Sequence, residues 1–271
     1  MGAALTNAIA GIGRSLFNFP RYFAQLAELF RETLFSLFSG QARLRLISRQ
    51  IIQIGVSSQL VVIVTGAFTG AVLTAQTYFQ FAEVGLETAV GGVVGVGMAR
   101  ELAPVLAGLM VAGRVGASMA AEIGTMKVTE QIDALRALSV HPVDHLVTPR
   151  FVAMMISMPI LVAESLAFGV LFCWIMAVPV YGISEAWFFK HMLAYAGLPD
   201  LSFSLVKGFF FGIIIVIVSC HQGLRVNDGA VGVGNNTTKA VVFSSLLLLI
   251  SNFFLTLILN IFFPGGFKGG A

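Results

Sequence analysis

Charge is scarce in this chain: Asp, Glu, Lys and Arg make up 11% of its 271 residues, against about a quarter in soluble domains. Cysteine is scarcer still. Cys173 and Cys220 both lie inside apolar runs and form neither a disulfide framework nor a zinc spacing. No Gly-Lys dipeptide occurs anywhere. The glycine run 91–97 therefore resembles a phosphate loop only superficially, and any ATP hydrolysis must reside in another subunit. There is no G-x-S-x-G nucleophile elbow. His141 and His145 are four apart, but Pro142 separates them and no carboxylate spacing completes a metal site. His191 and His221 are isolated. No cofactor is expected, no nucleic acid is expected as a partner, and the sequence offers no catalytic residue.

What the chain has in excess is apolar surface. Hydrophobic residues are 57% of it, and its mean hydropathy is +0.91. One water-soluble core of this size cannot hide so much, so the chain is an integral membrane protein. A span needs roughly 20 mostly apolar residues, and five stretches qualify: about 51–78, 88–113, 151–178, 204–220 and 240–263. The start of the chain lacks a signal-peptide pattern, because Arg14, Arg21, Glu28, Arg31 and Glu32 interrupt its first apolar stretch.

Basic residues set the orientation. Arg14, Arg21, Arg31, Arg43, Arg45 and Arg49 precede the first span. Arg114, Lys127, Arg136 and Arg150 lie between the second and third, and Arg225 and Lys239 between the fourth and fifth. The opposite loops hold Glu83, Glu87, Glu185, Lys190 and Asp200. The positive-inside rule predicts a cytoplasmic N-terminus and a C-terminus on the other side. Asn235 and Asn236 match the glycosylation pattern but fall on the cytoplasmic side.

Two amphipathic helices flank this set. Between 15 and 38, Leu16, Phe19, Phe23, Leu26, Phe30, Leu34 and Leu37 recur at steps of three or four, with Arg21, Gln25, Glu28 and Glu32 on another face. This helix is expected in the inner-leaflet interface, the alternative being packing on the protein's own cytoplasmic side. From 125 to 138, Val128, Ile132, Leu135 and Leu138 form a stripe, decorated by Lys127, Glu130, Asp133 and Arg136. One continuous helix is predicted there, ended by Pro142. Its stripe calls for a partner surface, or packs on its own bundle.

Inside the second span stand Arg100 and Glu101. Adjacent helix positions point about 100° apart, so the two cannot satisfy each other. Buried charge needs a partner or water and marks a functional site by default, here one that lines a pathway or meets a lipid headgroup; the alternative is a structural pair tied to another helix. Pro104 is expected to break or kink the helix just after them. Glu164 near Pro159 reads as a proton site or a helix–helix hydrogen bond. Lys207 is expected to snorkel from a span end. Asn252 and Asn260 read as interhelical hydrogen-bond groups. Gly66 and Gly70, Gly91 and Gly95, and Gly208 and Gly212 each form G-x-x-x-G, with a further small-residue track over 113–124, predicting close helix packing.

The segments GAFTGAVLTAQ (66–76), ARELAPVLAGLMVAGRVGASMAAEIGTMKVTEQIDAL (99–135) and HPVDHLVTPRF (141–151) resemble the MlaE/YrbE-type permease subunits of MCE-associated ABC transporters. TTKAVVFSS (237–245) fits as well, and the likeness is weak before residue 50. The resemblance implies a homodimer in the bacterial inner membrane, with ABC ATPase subunits below, a periplasmic MCE-domain hexamer above, and in some systems a STAS-domain protein. It implies phospholipid transport between the inner and outer membranes. The family's lipid cavity would involve the first, second and fifth spans, with Arg100 and Glu101 at its base and Leu73, Gln76 and Phe81 contacting lipid. The coupling helix would fall on 125–138, with Glu122, Lys127, Glu130, Asp133 and Arg136 serving the ATPase.

The expected fold is thus an all-α integral membrane protein of five transmembrane helices, with an N-terminal interfacial segment (1–45) and a permease domain (46–271) containing the coupling helix. The alternative is a proton-coupled secondary transporter using Glu101 and Glu164. An intramembrane lipid-modifying enzyme lacks any nucleophile or metal constellation.

Overall fold

A computed structural model describes residues 2–39 and 44–263, with side chains from residue 20 onward. The side chains of Arg14, Leu16 and Phe19, residue Arg43 and the last eight residues lie outside the described residues. Every described element is helical. The helices are α1 (Gly2–Phe38), α2 (Leu44–Ile54), α3 (Gln59–Ala82), α4 (Val90–Gly97), α5 (Ala103–Val111), α6 (Ala117–Val128), α7 (Gln131–Ala137), α8 (Thr148–Ile175), α9 (Glu185–Tyr195), α10 (Leu198–Leu224) and α11 (Gly229–Phe262).

Five helical runs are long and apolar enough to cross a membrane: Leu44–Ala82, Glu87–Val128, Val143–Val180, Leu198–Leu224 and Gly229–Phe262. This is the predicted number and order, and the chain is an all-α integral membrane protein. The basic loops gather at one end of the bundle, called here the basic end; the other is the far end.

The second run is longer than predicted. It continues past Gly113 to Val128, 42 residues in all, or about 60 Å at 1.5 Å per residue. The hydrocarbon core is about 30 Å thick, so the run projects well beyond it. Pro104 does not break this run, because a π-helical turn over Met98–Leu102 precedes it and α5 begins with the proline in its first turn. The proline still has no N–H for the carbonyl of Arg100, four residues back. A second π turn covers Ala112–Gly116.

The predicted single helix over 125–138 is instead two pieces. α6 ends at Val128, Glu130 takes φ 58°, and α7 starts at Gln131. The reversal also splits the apolar stripe. Ile132 is fully buried and Leu135 packs on the same core, while Val128 and Leu138 are exposed. Packing on its own bundle therefore accounts for half of that stripe.

α8 lies at the centre, against α2, α3, α5 and α10, and α11 leans on α6 and α10. Phe151, Met154, Met158, Phe211 and Ile215 form the main core. Val90, Val94, Met98, Cys173 and Phe188 form a second one at the far end. The three G-x-x-x-G pairs sit at close contacts, as their spacing predicts. A Cβ on Gly70 would stand 2.1 Å from the Gly169 carbonyl oxygen, and one on Gly66 2.4 Å from that of Ser165. In lipid such backbone approach carries much of the packing.

α1 docks at the basic end by the face that carries Leu26, Leu29, Thr33 and Ser36, all buried. Thr148 Oγ1 donates to Ser36 Oγ at 2.9 Å, and Gln222 Nε2 to Tyr22 Oη at 3.1 Å. Phe23, Phe35 and Phe38 remain exposed. The inner face of α1 thus packs on the bundle, as the alternative reading had it, and an apolar outer strip is left over.

Gly70→Leu must push α3 and α8 apart, since the atom it meets is backbone. Overpacking of this kind costs about 2 kcal/mol or more. Gly113, which has open space around it, serves as the control. Thermal unfolding in detergent should show a loss of several degrees for Gly70→Leu and almost none for Gly113→Ala; equal melting of the two would refute the contact.

Candidate functional site

The charged cluster draws its members from three spans. Arg100 and Glu101 stand in the Met98–Leu102 π turn. The wider π turn re-aims side chains and recurs at functional positions. Arg100 donates from Nε to Asp200 Oδ1 at 2.5 Å, from Nη1 to Asn260 Oδ1 at 2.7 Å, and from Nη2 to the Phe263 carbonyl at 3.4 Å. Glu101 accepts on Oε1 from Lys207 Nζ and Thr256 Oγ1, each at 2.9 Å, and on Oε2 from Asn252 Nδ2 at 2.9 Å. The two neighbours in sequence thus engage different partners.

Lys207 does not snorkel. Its side chain is 0% exposed, and its ammonium holds two acceptors at once, Glu101 and the Arg100 carbonyl at 2.7 Å. Pro104 explains the second bond. It has no N–H to offer the carbonyl four residues back, and Lys207 supplies the missing donor. Asp200 is likewise not a free loop acid. It caps the start of α10, where Oδ2 accepts from the Gly197 N–H at 2.8 Å, and it is buried. Phe203 lies beneath both cations, its ring centre 5.0 Å from Arg100 Cζ and 4.9 Å from Lys207 Nζ. Cation–π contact of this sort strengthens where water is excluded.

Two cations therefore meet two carboxylates, and the cluster is formally neutral. That balance is what burial at membrane depth demands. Access is uneven: the Glu101 side chain is 40% exposed and that of Arg100 13%. Asn252 keeps a buried Oδ1 with no hydrogen-bond partner. A polar ligand thus finds a reachable carboxylate and, at the margin, a guanidinium.

Sequence reasoning found Arg100, Glu101, Asn252 and Asn260 but missed Asp200, Phe203, Lys207 and Thr256 as members. A signal existed. Asn252, Thr256 and Asn260 recur every four residues in α11, and Asp200, Phe203 and Lys207 fall at i, i+3 and i+7 in α10. Each set occupies one helix face.

The expected lipid contacts lie nearby. Leu73 and Phe81 pack against the far-end core of Val90, Val94 and Met98, and Gln76 is exposed on α3. Glu164 is a helix–helix partner, accepting from Gln59 Nε2 at 3.0 Å.

At the basic end the expected coupling residues separate into two groups. Glu122, whose side chain is 36% exposed, accepts from Gln53 at 2.7 Å, Ser118 at 3.1 Å and Arg150 at 2.9 Å, fastening α2, α6 and α8. Lys127 and Arg136 line a cleft of about 510 Å³ with Glu32 and His141. Asp133 pairs with Arg136 at 3.0 Å, both well exposed, and Glu130 is exposed at the left-handed corner. Among the described residues, no three of His, Cys, Asp and Glu gather as metal ligands.

Five spans around a charge cluster, with a helical elbow projecting from one end, define a multi-pass membrane protein. The chain belongs to the permease MlaE family, whose model matches residues 47–258. It is 46% identical to a "probable ABC transporter permease protein" of Rickettsia typhi, over 82% of this chain and 85% of that one. It is 41% identical to a protein of the same description from Synechocystis, over 81% and 84%. It is 35% identical to the chloroplastic protein TRIGALACTOSYLDIACYLGLYCEROL 1 of Arabidopsis thaliana, over 84% of this chain and 65% of that one. It is therefore a permease of the ABC-transporter type, a kind in which ATP hydrolysis lies in a separate subunit.

Breaking the Glu101–Lys207 pair should be asymmetric. Glu101→Gln leaves a fully buried ammonium without its counterion and should cost about 3 kcal/mol. Lys207→Met leaves a carboxylate that water still reaches and should cost less, and the double variant should recover stability. Unfolding of detergent-solubilised variants measures this; additive losses would mean that the two groups are not coupled.

Proposed function

We propose that this permease passes phospholipid between the bacterial inner membrane and a periplasmic MCE-domain carrier, as one half of a homodimer driven by ABC ATPase subunits. The observation that carries the reading is the neutral charge cluster, set in an apolar wall at the far half of the bundle. An amphiphile needs that combination. Its chains lie against residues such as Leu73 and Phe81, while its headgroup exchanges hydrogen bonds with a few fixed polar groups. The chloroplastic relative bears the name of a glycolipid, which supports a lipid cargo. The bond between Glu164 and Gln59 supports the permease reading over proton relay.

In this account the headgroup replaces weaker partners of the cluster. Asp200 is locked by its cap to Gly197, so it holds Arg100 in place. Asn260 and the Phe263 carbonyl are the partners a phosphate displaces, leaving Nη1 and Nη2 as a fork for its oxygens. Ammonium or hydroxyl donors of a headgroup meet Glu101.

Energy enters at the other end. The ATPase binds α7 and the exposed Asp133–Arg136 pair, with a STAS-domain protein as an accessory in some systems. The run Glu87–Val128 carries Arg100 and ends at the elbow, so a push on α7 reaches the cluster along one helical run. The basic end faces the cytoplasm and the far end the periplasm, as the basic loops favour.

Arg100→Gln in the reconstituted complex should cut lipid transfer to the carrier at least tenfold, with dimer and ATPase still co-purifying. Glutamine is the sharper substitution, because a glutamate there would stand against Asp200. Undiminished transfer would remove Arg100 from the mechanism. Replacing Glu130 by Gln and Arg136 by Ala together should reduce the amount of ATPase recovered in affinity purification several-fold, while span packing, read by melting, stays unchanged. Full recovery of ATPase would refute the coupling role of the elbow.

A further inference from the structure

The basic end holds a second polar site that the transport reading does not use. A cavity of about 410 Å³ opens between α1, the end of α10 and the start of α11. Its cationic lining is Arg225 and Lys239, opposed by the single carboxylate of Asp228. Asn227, Asn235 and Asn236 add side-chain amides, and Tyr22 and Phe243 close its apolar flank. The two rings lie 5.1 Å apart.

Its hydrogen-bonding capacity is largely unspent. Arg225 uses one N–H on Gln25 at 2.9 Å, and Tyr22 Oη accepts from the buried Gln222 at 3.1 Å. The carboxamides of the three asparagines and the Lys239 ammonium have no such bond in the structure. A lining of net positive charge with several free donors suits an anionic oxygen group.

Depth narrows the choice of ligand. Lys239 is the last charged residue of α11 before the run 240–262, which contains no Asp, Glu, Lys or Arg. The α10 stretch 208–224 likewise contains none, and Arg225 follows it at once. Both cations therefore stand where two neighbouring spans leave the hydrocarbon, the level of lipid headgroups. Below Lys239, Val242, Leu246 and Leu249 are exposed along α11, an uncovered apolar strip against which acyl chains can lie. A free anion would need the cavity but has no use for that strip.

We propose that this cavity binds the phosphate headgroup of a phospholipid in the leaflet on the basic side, with its chains along α11. The site lies at the opposite end of α11 from the charge cluster and is independent of transport. α11 would then carry one headgroup station at each end.

The test is photocrosslinking of the full chain in phosphatidylcholine vesicles doped with a phosphatidylglycerol analogue that carries a photoreactive group on its acyl chain. Label should map to 239–250, and Arg225→Gln with Lys239→Gln should lower it on the order of tenfold, as expected for two cations at an anionic surface. Asn235→Asp with Asn236→Asp retains both cations and adds repulsion, so it should lower label as well if the headgroup enters the cavity. Inorganic phosphate at millimolar concentration should compete poorly. Label outside this region, label unaffected by both double variants, or complete competition by phosphate would each overturn the assignment, the last in favour of a free-anion site. Arg100→Gln should leave the label unchanged, which separates this site from the transport reading.

Discussion

Burying charge in lipid is the constraint on which this structure turns. Arg100 and Glu101 cannot neutralise each other along one helix, so the fold must bring an anion to one and a cation to the other. Asp200 and Lys207, seven residues apart on α10, do that. Asn252, Thr256 and Asn260 fill the remaining bonds from α11. The second, fourth and fifth spans are thereby tied at one depth. Removing Glu101 strands a fully buried ammonium, whereas removing Lys207 leaves a carboxylate that is 40% exposed, so the two halves of that pair are unequally dependent on each other.

The same economy explains the backbone around the cluster. Pro104 would leave the Arg100 carbonyl without a donor, and the π turn and Lys207 together absorb that defect. A helix carrying such a turn can remain continuous over 42 residues. Continuity matters for a permease whose energy source is outside the chain. One helical run leads from the elbow at the basic end to the charged groups at the far end.

Much of this was legible in the residues because lipid allows few solutions. Five apolar runs became five spans, and glycines spaced by four became close helix contacts, against backbone at Gly66 and Gly70. What escaped notice did so for physical reasons. Asp200 follows Pro199 and reads as a loop acid, yet that dipeptide opens α10 and the carboxylate turns inward. Lys207 reads as a snorkelling residue, because nothing local announces the carboxylate waiting on another helix. The break at 129–130 requires Glu130 to enter left-handed space, which few non-glycine residues adopt, so helical periodicity ran straight through it. Gly113 and Arg114 look like a span end but only mark a second π turn. Glu122 looks like surface charge until Arg150, 28 residues on, returns to meet it.

An electron cryomicroscopy map of the permease with its ATPase in phospholipid nanodiscs decides whether the cluster meets lipid. Headgroup density is expected within hydrogen-bond reach of Arg100 or Glu101, with Asp200 still on the guanidinium and Asn260 released from it. A resolved lipid path whose headgroup never approaches either residue, with every bond of the cluster intact, would contradict that expectation.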